Sequence, residues 1–156
     1  MTGGGSSIVE VQKLLAVLAA GKRCAEVGTA FGEGGAAMAS TAQSLVTVEK
    51  DAARAQIAAA RLAGLTNVEL LTGDWREHLP SRAPFDLLFF DGGRFAEAPD
   101  AIELLAVGGL LVKDDLSADW EGLDPVRTLL FESPRLVAVE ILTTPSTAAV
   151  VAARVR

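Results

Sequence analysis

The sequence of 156 residues contains one cysteine, one histidine, no tyrosine and only 5% aromatic residues. A single cysteine, Cys24, excludes an internal disulfide framework and a zinc site built from several cysteines. The sequence also lacks 18 consecutive apolar residues, and no basic start leads into a leader-like apolar core. We therefore expect a cytoplasmic protein with no membrane partner.

Positive charge is scarce as well, with 14 Lys and Arg residues against 20 Asp and Glu residues. The net charge of −6 disfavours a broad phosphate-binding face, so we expect no nucleic-acid partner. Half of the residues are hydrophobic and only 22% are charged, which is the balance of a chain that buries a sizeable core. We predict a single domain over residues 1–156, with a flexible Gly/Ser arm at residues 1–7.

Short apolar runs alternate with helical patterns along the chain. The strands are predicted at 23–27, 45–49, 68–71, 85–90, 110–113, 136–142 and 147–155. The helices are predicted at 8–20, 34–43, 51–63, 75–79, 99–107 and 123–132. The first five strands are nearly continuous in apolar residues, which is typical of strands covered on both faces. This order predicts an α/β fold with a doubly wound, mostly parallel seven-stranded sheet and a C-terminal antiparallel hairpin.

Glycines and polar residues follow the first three strands, at the edge where such sheets bind ligands. The first strand leads into a glycine-rich turn at residues 28–35. The second strand ends in Glu49, where a carboxylate can accept hydrogen bonds from ribose hydroxyls. The third leads to Asp74 and Trp75, which suit an adenine amino group and ring. Each feature alone also fits an ordinary turn or helix cap, but together they predict an adenosine-binding site.

The glycine spacing distinguishes between adenosine cofactors. The dinucleotide fingerprint G-x-G-x-x-G fails because Ala30 stands at its second glycine position, and no G-x-x-x-x-G-K-[ST] phosphate loop is present. The spacing is instead Glu-x-Gly-x-x-x-Gly over Glu26, Gly28 and Gly32. A nicotinamide-dependent oxidoreductase therefore fits the predicted sheet but not the glycine spacing.

These residues resemble the class I S-adenosylmethionine-dependent methyltransferases, and among them the small-molecule O-methyltransferases related to catechol O-methyltransferase. The similar segments follow the family's order, with EVGTAFG at 26–32, TVE at 47–49, GDW at 73–75, FDLLFFD at 85–91 and GGLLVKDD at 108–115. The terminal hairpin is similar to the family's reversed last strand. The resemblance implies a Rossmann-like methyltransferase fold and methyl transfer from S-adenosylmethionine to an oxygen of a small-molecule acceptor.

The resemblance also assigns the cofactor contacts. It implies that S-adenosylmethionine is bound by Glu26, Gly28, Thr29, Gly32, Gly34, Glu49, Lys50, Asp74, Trp75 and Asp91. Within this set, Glu49 would hold the ribose and Asp74 the adenine.

Three carboxylates follow the fourth and fifth strands, at Asp91, Asp114 and Asp115. The resemblance implies that they hold a divalent cation such as Mg²⁺, because converging carboxylates repel one another unless a hard cation compensates them. The alternative is that Asp91 contacts only the cofactor side while Asp114 and Asp115 cap a solvated loop.

We expect Asp91 and Arg94 to act in catalysis, and two departures from the family bear on this expectation. Arg94 stands where catechol-type members have a lysine, and an arginine holds an oxyanion or a carboxylate rather than acting as a base. Only one predicted helix precedes the first strand, so the site is either open or completed by another subunit, as in a homodimer. These departures keep a second interpretation open, a non-catalytic S-adenosylmethionine-binding module or partner subunit.

Overall fold

The computed structural model describes residues 7–156. Residues 1–6, most of the predicted Gly/Ser arm, lie outside the described residues. Ser7 is buried, and its carbonyl oxygen accepts a hydrogen bond from Gln12 Nε2 at 2.6 Å. Among the described residues, no helix combines the length and apolarity that a membrane crossing requires.

Helices and strands alternate through most of the described chain. The helices are α1 (Val9–Ala19), α2 (Glu33–Ala39), α3 (Ala52–Leu62), α4 (Trp75–His78) and α5 (Pro125–Glu132). The strands are β1 (Arg23–Val27), β2 (Ser44–Glu49), β3 (Val68–Thr72), β4 (Phe85–Phe90), β5 (Leu105–Ser117), β6 (Leu136–Leu142) and β7 (Thr147–Arg154). Short 3-10 turns lie at Pro80–Arg82, Phe95–Glu97 and Pro99–Leu104.

The seven strands form one sheet in the order β3-β2-β1-β4-β5-β7-β6. The neighbours from β3 to β5 pair in parallel, and β7 pairs antiparallel with both β5 and β6. The short connection at 143–146 explains the antiparallel pair, because a parallel crossover needs a dozen residues or more. The predicted doubly wound, mostly parallel sheet with a terminal hairpin is therefore confirmed.

Two buried apolar clusters cover the sheet on its opposite faces. One packs Leu15 of α1 and Met38 of α2 against Phe89 of β4. The other packs Leu130 of α5 against Leu88 of β4 and neighbouring strands. Because β4 is buried on both faces, its continuous apolar sequence is what this position requires.

The predicted helix at 99–107 is wrong in its second half. Only Pro99–Leu104 is helical, in the 3-10 conformation, and the strand β5 begins at Leu105. Leu105 pairs with Phe85 of β4, so sheet hydrogen bonds replace the helical ones. β5 is consequently 13 residues long rather than the predicted four. The predicted helix at 34–43 is also too long, because α2 ends at Ala39.

The sheet order places β1 next to both β2 and β4, and this is the point where successive connections leave in opposite directions along the sheet. In open α/β sheets such a switch point creates a crevice beyond the carboxyl ends of the strands. The segments that follow β1, β2 and β4 therefore face one another across this crevice.

Candidate functional site

A cleft of about 1090 Å³ opens at the carboxyl ends of the parallel strands. Predicted site residues that line it are Gly28, Glu49, Lys50, Asp74, Trp75, Asp91, Arg94 and Asp115. Further lining residues, to which the sequence analysis assigned no role in the site, include Asp51, Arg54, Gly73, Arg76, Phe90, Gly92, Gly93, Glu97 and Ala98. The structure thus brings the ends of β1, β2, β3, β4 and β5 to one cleft.

Glu49 is fixed at the end of β2 by two backbone groups. Its Oε2 accepts a hydrogen bond from the Ala30 N–H at 2.8 Å, and its Oε1 accepts one from the Asp51 N–H at 2.9 Å. Each carboxylate oxygen has further acceptor capacity, so a ligand hydroxyl can donate to the same carboxylate. The first bond also holds Ala30 in a left-handed conformation, with φ of 49°.

Glu26 turns its carboxylate under the first turn of α2 and lies outside the cleft lining. Its Oε1 accepts a hydrogen bond of 2.6 Å from Thr47 Oγ1, which in turn lies 2.5 Å from Thr29 Oγ1. A Cβ on Gly34 would lie 2.8 Å from Glu26 Oε2, so the glycine makes room for this buried carboxylate. Burial raises the pKa of Glu26 well above its ordinary value.

These contacts assign Glu26, Thr29 and Gly34 to the construction of the loop between β1 and α2. Gly32 belongs to the same loop, with φ of 91°, and a Cβ there would lie 3.3 Å from Arg61 Cδ. None of the four lines the cleft, and their predicted role as direct cofactor contacts stays a prediction.

Gly28 and Gly92 bring the loops after β1 and β4 into backbone contact. Gly28 has φ of 88°, and a Cβ on it would lie 2.5 Å from the Gly92 nitrogen. The Asp91 and Gly92 N–H groups both donate to the Val27 carbonyl oxygen, at 2.9 and 2.8 Å. Gly28 therefore sets the position of the loop that carries Asp91.

Asp74 and Trp75 form the β3 side of the cleft. Asp74 caps α4 by accepting a hydrogen bond from the Arg76 N–H at 2.9 Å. The Arg76 guanidinium lies 4.4 Å from the centre of the Trp75 ring and is held by two hydrogen bonds to Asp100, each of 2.9 Å. The Trp75 ring also makes an edge contact with Phe90, with ring centres 5.8 Å apart. The tryptophan is thus held in place before any ligand binds.

Asp91, Asp114 and Asp115 converge as predicted, with candidate ligand oxygens within 4.8 Å of one another. Both carboxylate oxygens of Asp114 are buried and have no hydrogen-bond partner among residues 7–156. Burial, followed by the neighbouring carboxylates, raises the pKa of both Asp91 and Asp114. Orphaned buried oxygens in an all-carboxylate set fit a hard divalent cation such as Mg²⁺.

Lys113 is a charged residue beside this cluster that the sequence reasoning did not assign. It is buried, and its Nζ donates a hydrogen bond of 2.9 Å to the Asp114 carbonyl oxygen. Its positive charge opposes the rise in the pKa of Asp91 and Asp114. The sequence signal that could have identified Lys113 is its position in the apolar strand β5, directly before two aspartates.

Arg94 lies on the rim of the cleft, three residues after Asp91. Its side chain is 82% exposed and pairs with Glu97 at 3.3 Å. Glu97 is itself 66% exposed, so this ion pair is solvated.

Comparisons with known proteins identify the fold. No family model matches the chain. The cofactor-bound protein Rv0187 from MTB superposes with a TM-score of 0.77 at 24% identity, covering 96% of this chain and 81% of that chain. The O-methyltransferase from Bacillus cereus in complex with SAH superposes with a TM-score of 0.72 at 22% identity, covering 98% of this chain and 83% of that chain.

The similar curated sequences are protein-L-isoaspartate O-methyltransferases. The protein from Chromohalobacter salexigens is 33% identical over 135 residues, which cover 82% of this chain and 58% of that protein. The protein from Koribacter versatilis is 32% identical over 114 residues, which cover 72% of this chain and 51% of that protein. The chain spans about half the length of the curated relatives it matches. With the seven-stranded topology, these findings confirm that the chain has the fold of the class I S-adenosylmethionine-dependent methyltransferases.

Proposed function

We propose that the protein is an S-adenosylmethionine-dependent methyltransferase that transfers a methyl group to an oxygen of a small-molecule acceptor. The observation that carries the proposal is the shared cleft. Glu49, Asp74 and Trp75 line its β2 and β3 side, and Asp91 and Asp115 line its β4 and β5 side. The cofactor-bound state of the two structural neighbours supports the choice of cofactor.

In the proposed reaction the acceptor oxygen forms a bond to the methyl carbon, the carbon–sulfur bond breaks, and the sulfur keeps the electron pair. The sulfonium makes this transfer favourable by itself, so the protein mainly aligns acceptor, methyl group and sulfur. Glu49 accepts from the ribose hydroxyls, Asp74 and Trp75 bind the adenine, and Asp91 lies between the cofactor and the acceptor. A hydroxyl acceptor also loses its proton, which passes to solvent water, because an arginine such as Arg94 stays protonated and cannot accept it.

Asp91, Asp114 and Asp115 are the residues that would hold a Mg²⁺ ion. A bound ion would orient the acceptor hydroxyl and lower its pKa. The unpartnered oxygens of Asp114 support this part of the proposal.

The names of the curated relatives favour a second candidate acceptor, a carboxylate. A carboxylate is already ionised at neutral pH, so its methylation needs neither a base nor a metal. The other alternative is a binding module that holds the cofactor without turnover. The binding module is favoured by Arg94, which is exposed, always protonated and stands in place of a lysine.

Calorimetry followed by a turnover assay tests the proposed function. We expect S-adenosylmethionine and its demethylated product to bind, and methylated product to form from members of a panel of catechols, phenols and organic acids. A methyl ester in the product, recognised by release of methanol in mild alkali, would identify the carboxylate acceptor. Binding without turnover on every acceptor would favour the module, and absence of cofactor binding would refute the proposal.

The metal prediction has its own variant. We expect a chelator to abolish turnover, Mg²⁺ to restore it, and Asp114→Asn to weaken Mg²⁺ binding at least about tenfold, because a charged ligand is lost from a buried cluster. Cofactor affinity should change much less, since Asp114 lies outside the cleft lining. Asp119→Asn, at an exposed position, is the matched control. Full turnover in chelator, with Asp114→Asn equal to the control, would contradict the metal site.

A further inference from the structure

We propose that the methyl acceptor is an organic acid whose carboxylate is bound by Arg94, an inference that rests on the proposed methyl transfer at the same cleft. Arg94 would then be a specificity-determining residue that selects anionic acceptors. Three properties of the cleft support this role: where its cations lie, which of them is available, and what an arginine at that place can bind.

The cations that line the cleft follow three different strands. Lys50 and Arg54 follow β2 and flank Glu49, on the side assigned to the cofactor ribose. Arg76 follows β3 and stacks on Trp75. Arg94 follows β4 and lies three residues beyond Asp91, on the side that the proposed function assigns to the acceptor. Among residues 7–156, Arg94 is thus the cation of the cleft lining that stands on the acceptor side.

Arg76 and Arg94, which both line the cleft, differ in how firmly they are held. Arg76 donates two hydrogen bonds of 2.9 Å to Asp100 and a third, of 3.3 Å, to the Glu97 carbonyl oxygen. The Arg94 guanidinium makes one solvated ion pair with Glu97, at 3.3 and 3.5 Å to the two carboxylate oxygens. Exposed pairs of this kind contribute little to stability, so a ligand carboxylate can replace Glu97 at low cost.

The chemistry of the guanidinium then defines the ligand class. An arginine stays protonated at any relevant pH and offers parallel N–H donors that match the two oxygens of a carboxylate. The acceptor side otherwise presents the carboxylates of Asp91, Glu97 and Asp115. A bound Mg²⁺ would compensate Asp91 and Asp115, whereas Glu97 would still repel an anionic acceptor. Arg94 offsets this repulsion and lets an acid bind in one orientation.

Calorimetry on the full chain tests the inference without requiring turnover. The protein is saturated with the demethylated cofactor product and Mg²⁺ and titrated separately with catechol, 2,3-dihydroxybenzoate and 3,4-dihydroxybenzoate. We expect at least one of the two acids to bind about tenfold to a hundredfold tighter than catechol, as hydrogen bonds between charged groups allow. Arg94→Gln should remove this preference, because it should weaken binding of the acid much more than binding of catechol.

Three further variants separate a specific contact from a general charge effect. Arg94→Lys keeps the charge but loses the paired donors, so it should retain only part of the preference. Glu97→Gln frees Arg94 from its ion pair and should increase the affinity for the acid. Lys13→Gln removes one positive charge from an exposed position on α1 and should change nothing.

The outcomes are distinct. Equal affinities for acid and catechol, a preference that survives Arg94→Gln, or an equal loss in Lys13→Gln would each overturn the role of Arg94. Cofactor binding without binding of any of the three acceptors would overturn the organic-acid inference and leave the cofactor site intact. Failure of the cofactor product itself to bind would refute the proposed function instead.

Discussion

Replacement of Gly28 by alanine tests how the loops after β1 and β4 are packed. Two costs combine at this position. An L-residue at φ of 88° costs about 1–2 kcal/mol. The new Cβ would also lie 2.5 Å from the Gly92 nitrogen, a backbone atom that cannot rotate away, and overpacking of this kind costs about 1–3 kcal/mol. We therefore expect Gly28→Ala to lower the free energy of unfolding by about 2–5 kcal/mol.

Two other glycines separate these costs. Gly122 has φ of 92°, and a Cβ there would meet no atom of the described residues within 4 Å, so Gly122→Ala should show the conformational cost alone. Gly64 has open space and no positive φ, so Gly64→Ala should leave the stability nearly unchanged.

Urea denaturation measures all three variants. The midpoint of thermal unfolding should follow the same order, with a shift of about 2–4 °C for each kcal/mol in a chain of this size. Cofactor affinity should also fall in Gly28→Ala, because the displaced loop carries Asp91. If Gly28→Ala were no less stable than Gly122→Ala, the close contact between Gly28 and Gly92 would not exist in solution and the reasoning would be refuted.

The remaining predictions concern two charged side chains. Glu49→Ala should weaken binding of S-adenosylmethionine about tenfold or more, because the proposed ribose hydrogen bonds and the observed bond from Ala30 would both be lost. Calorimetry against the exposed control Glu10→Ala measures this change, and unchanged affinity would contradict the assignment. Arg127 donates to Glu140 at 2.7 and 2.8 Å and to Asp124 at 2.6 Å, so Arg127→Met should lower the stability at pH 7 by about 1 kcal/mol or more. The hydrogen bond from Arg127 holds the pKa of Glu140 below its ordinary value of 4.5, so this contribution is complete above that pH and is lost as the pH falls below it. The difference in Tm between parent and Arg127→Met should therefore shrink at pH 3.5, and a constant difference would show that Glu140 is not the partner that matters.

The strands were predictable because each is an apolar run of limited length between turn residues. β1, β4 and β6 begin and end at the predicted residues. The structure of the segment at 99–107 was not predictable, because its apolar residues fit the spacing of a helix as well as that of a buried strand. The choice between them depends on the pairing of Leu105 with Phe85, a contact between distant parts of the chain.

The site was predictable to the level of the strand ends but not of the side-chain directions. Glu49 and Asp91 line the cleft because they end or follow parallel strands at the switch point. Glu26 lies on β1 two residues before Gly28, yet its carboxylate turns away to Thr47. That direction depends on the space that Gly34 leaves in α2, which no local pattern encodes.

The side chain of Ala30, and not only its backbone conformation, bears on which adenosine cofactor the cleft can bind. Its φ of 49° lies in the left-handed region that glycine favours, so a second glycine would fit the turn without strain. In dinucleotide-binding proteins that glycine lets the backbone approach a pyrophosphate. Here Ala30 lines the cleft in its place, and its N–H donates a hydrogen bond of 2.8 Å to Glu49. The turn therefore carries a side-chain carbon at the position that dinucleotide-binding proteins leave to a glycine, and this carbon would lie close to a diphosphate bound there.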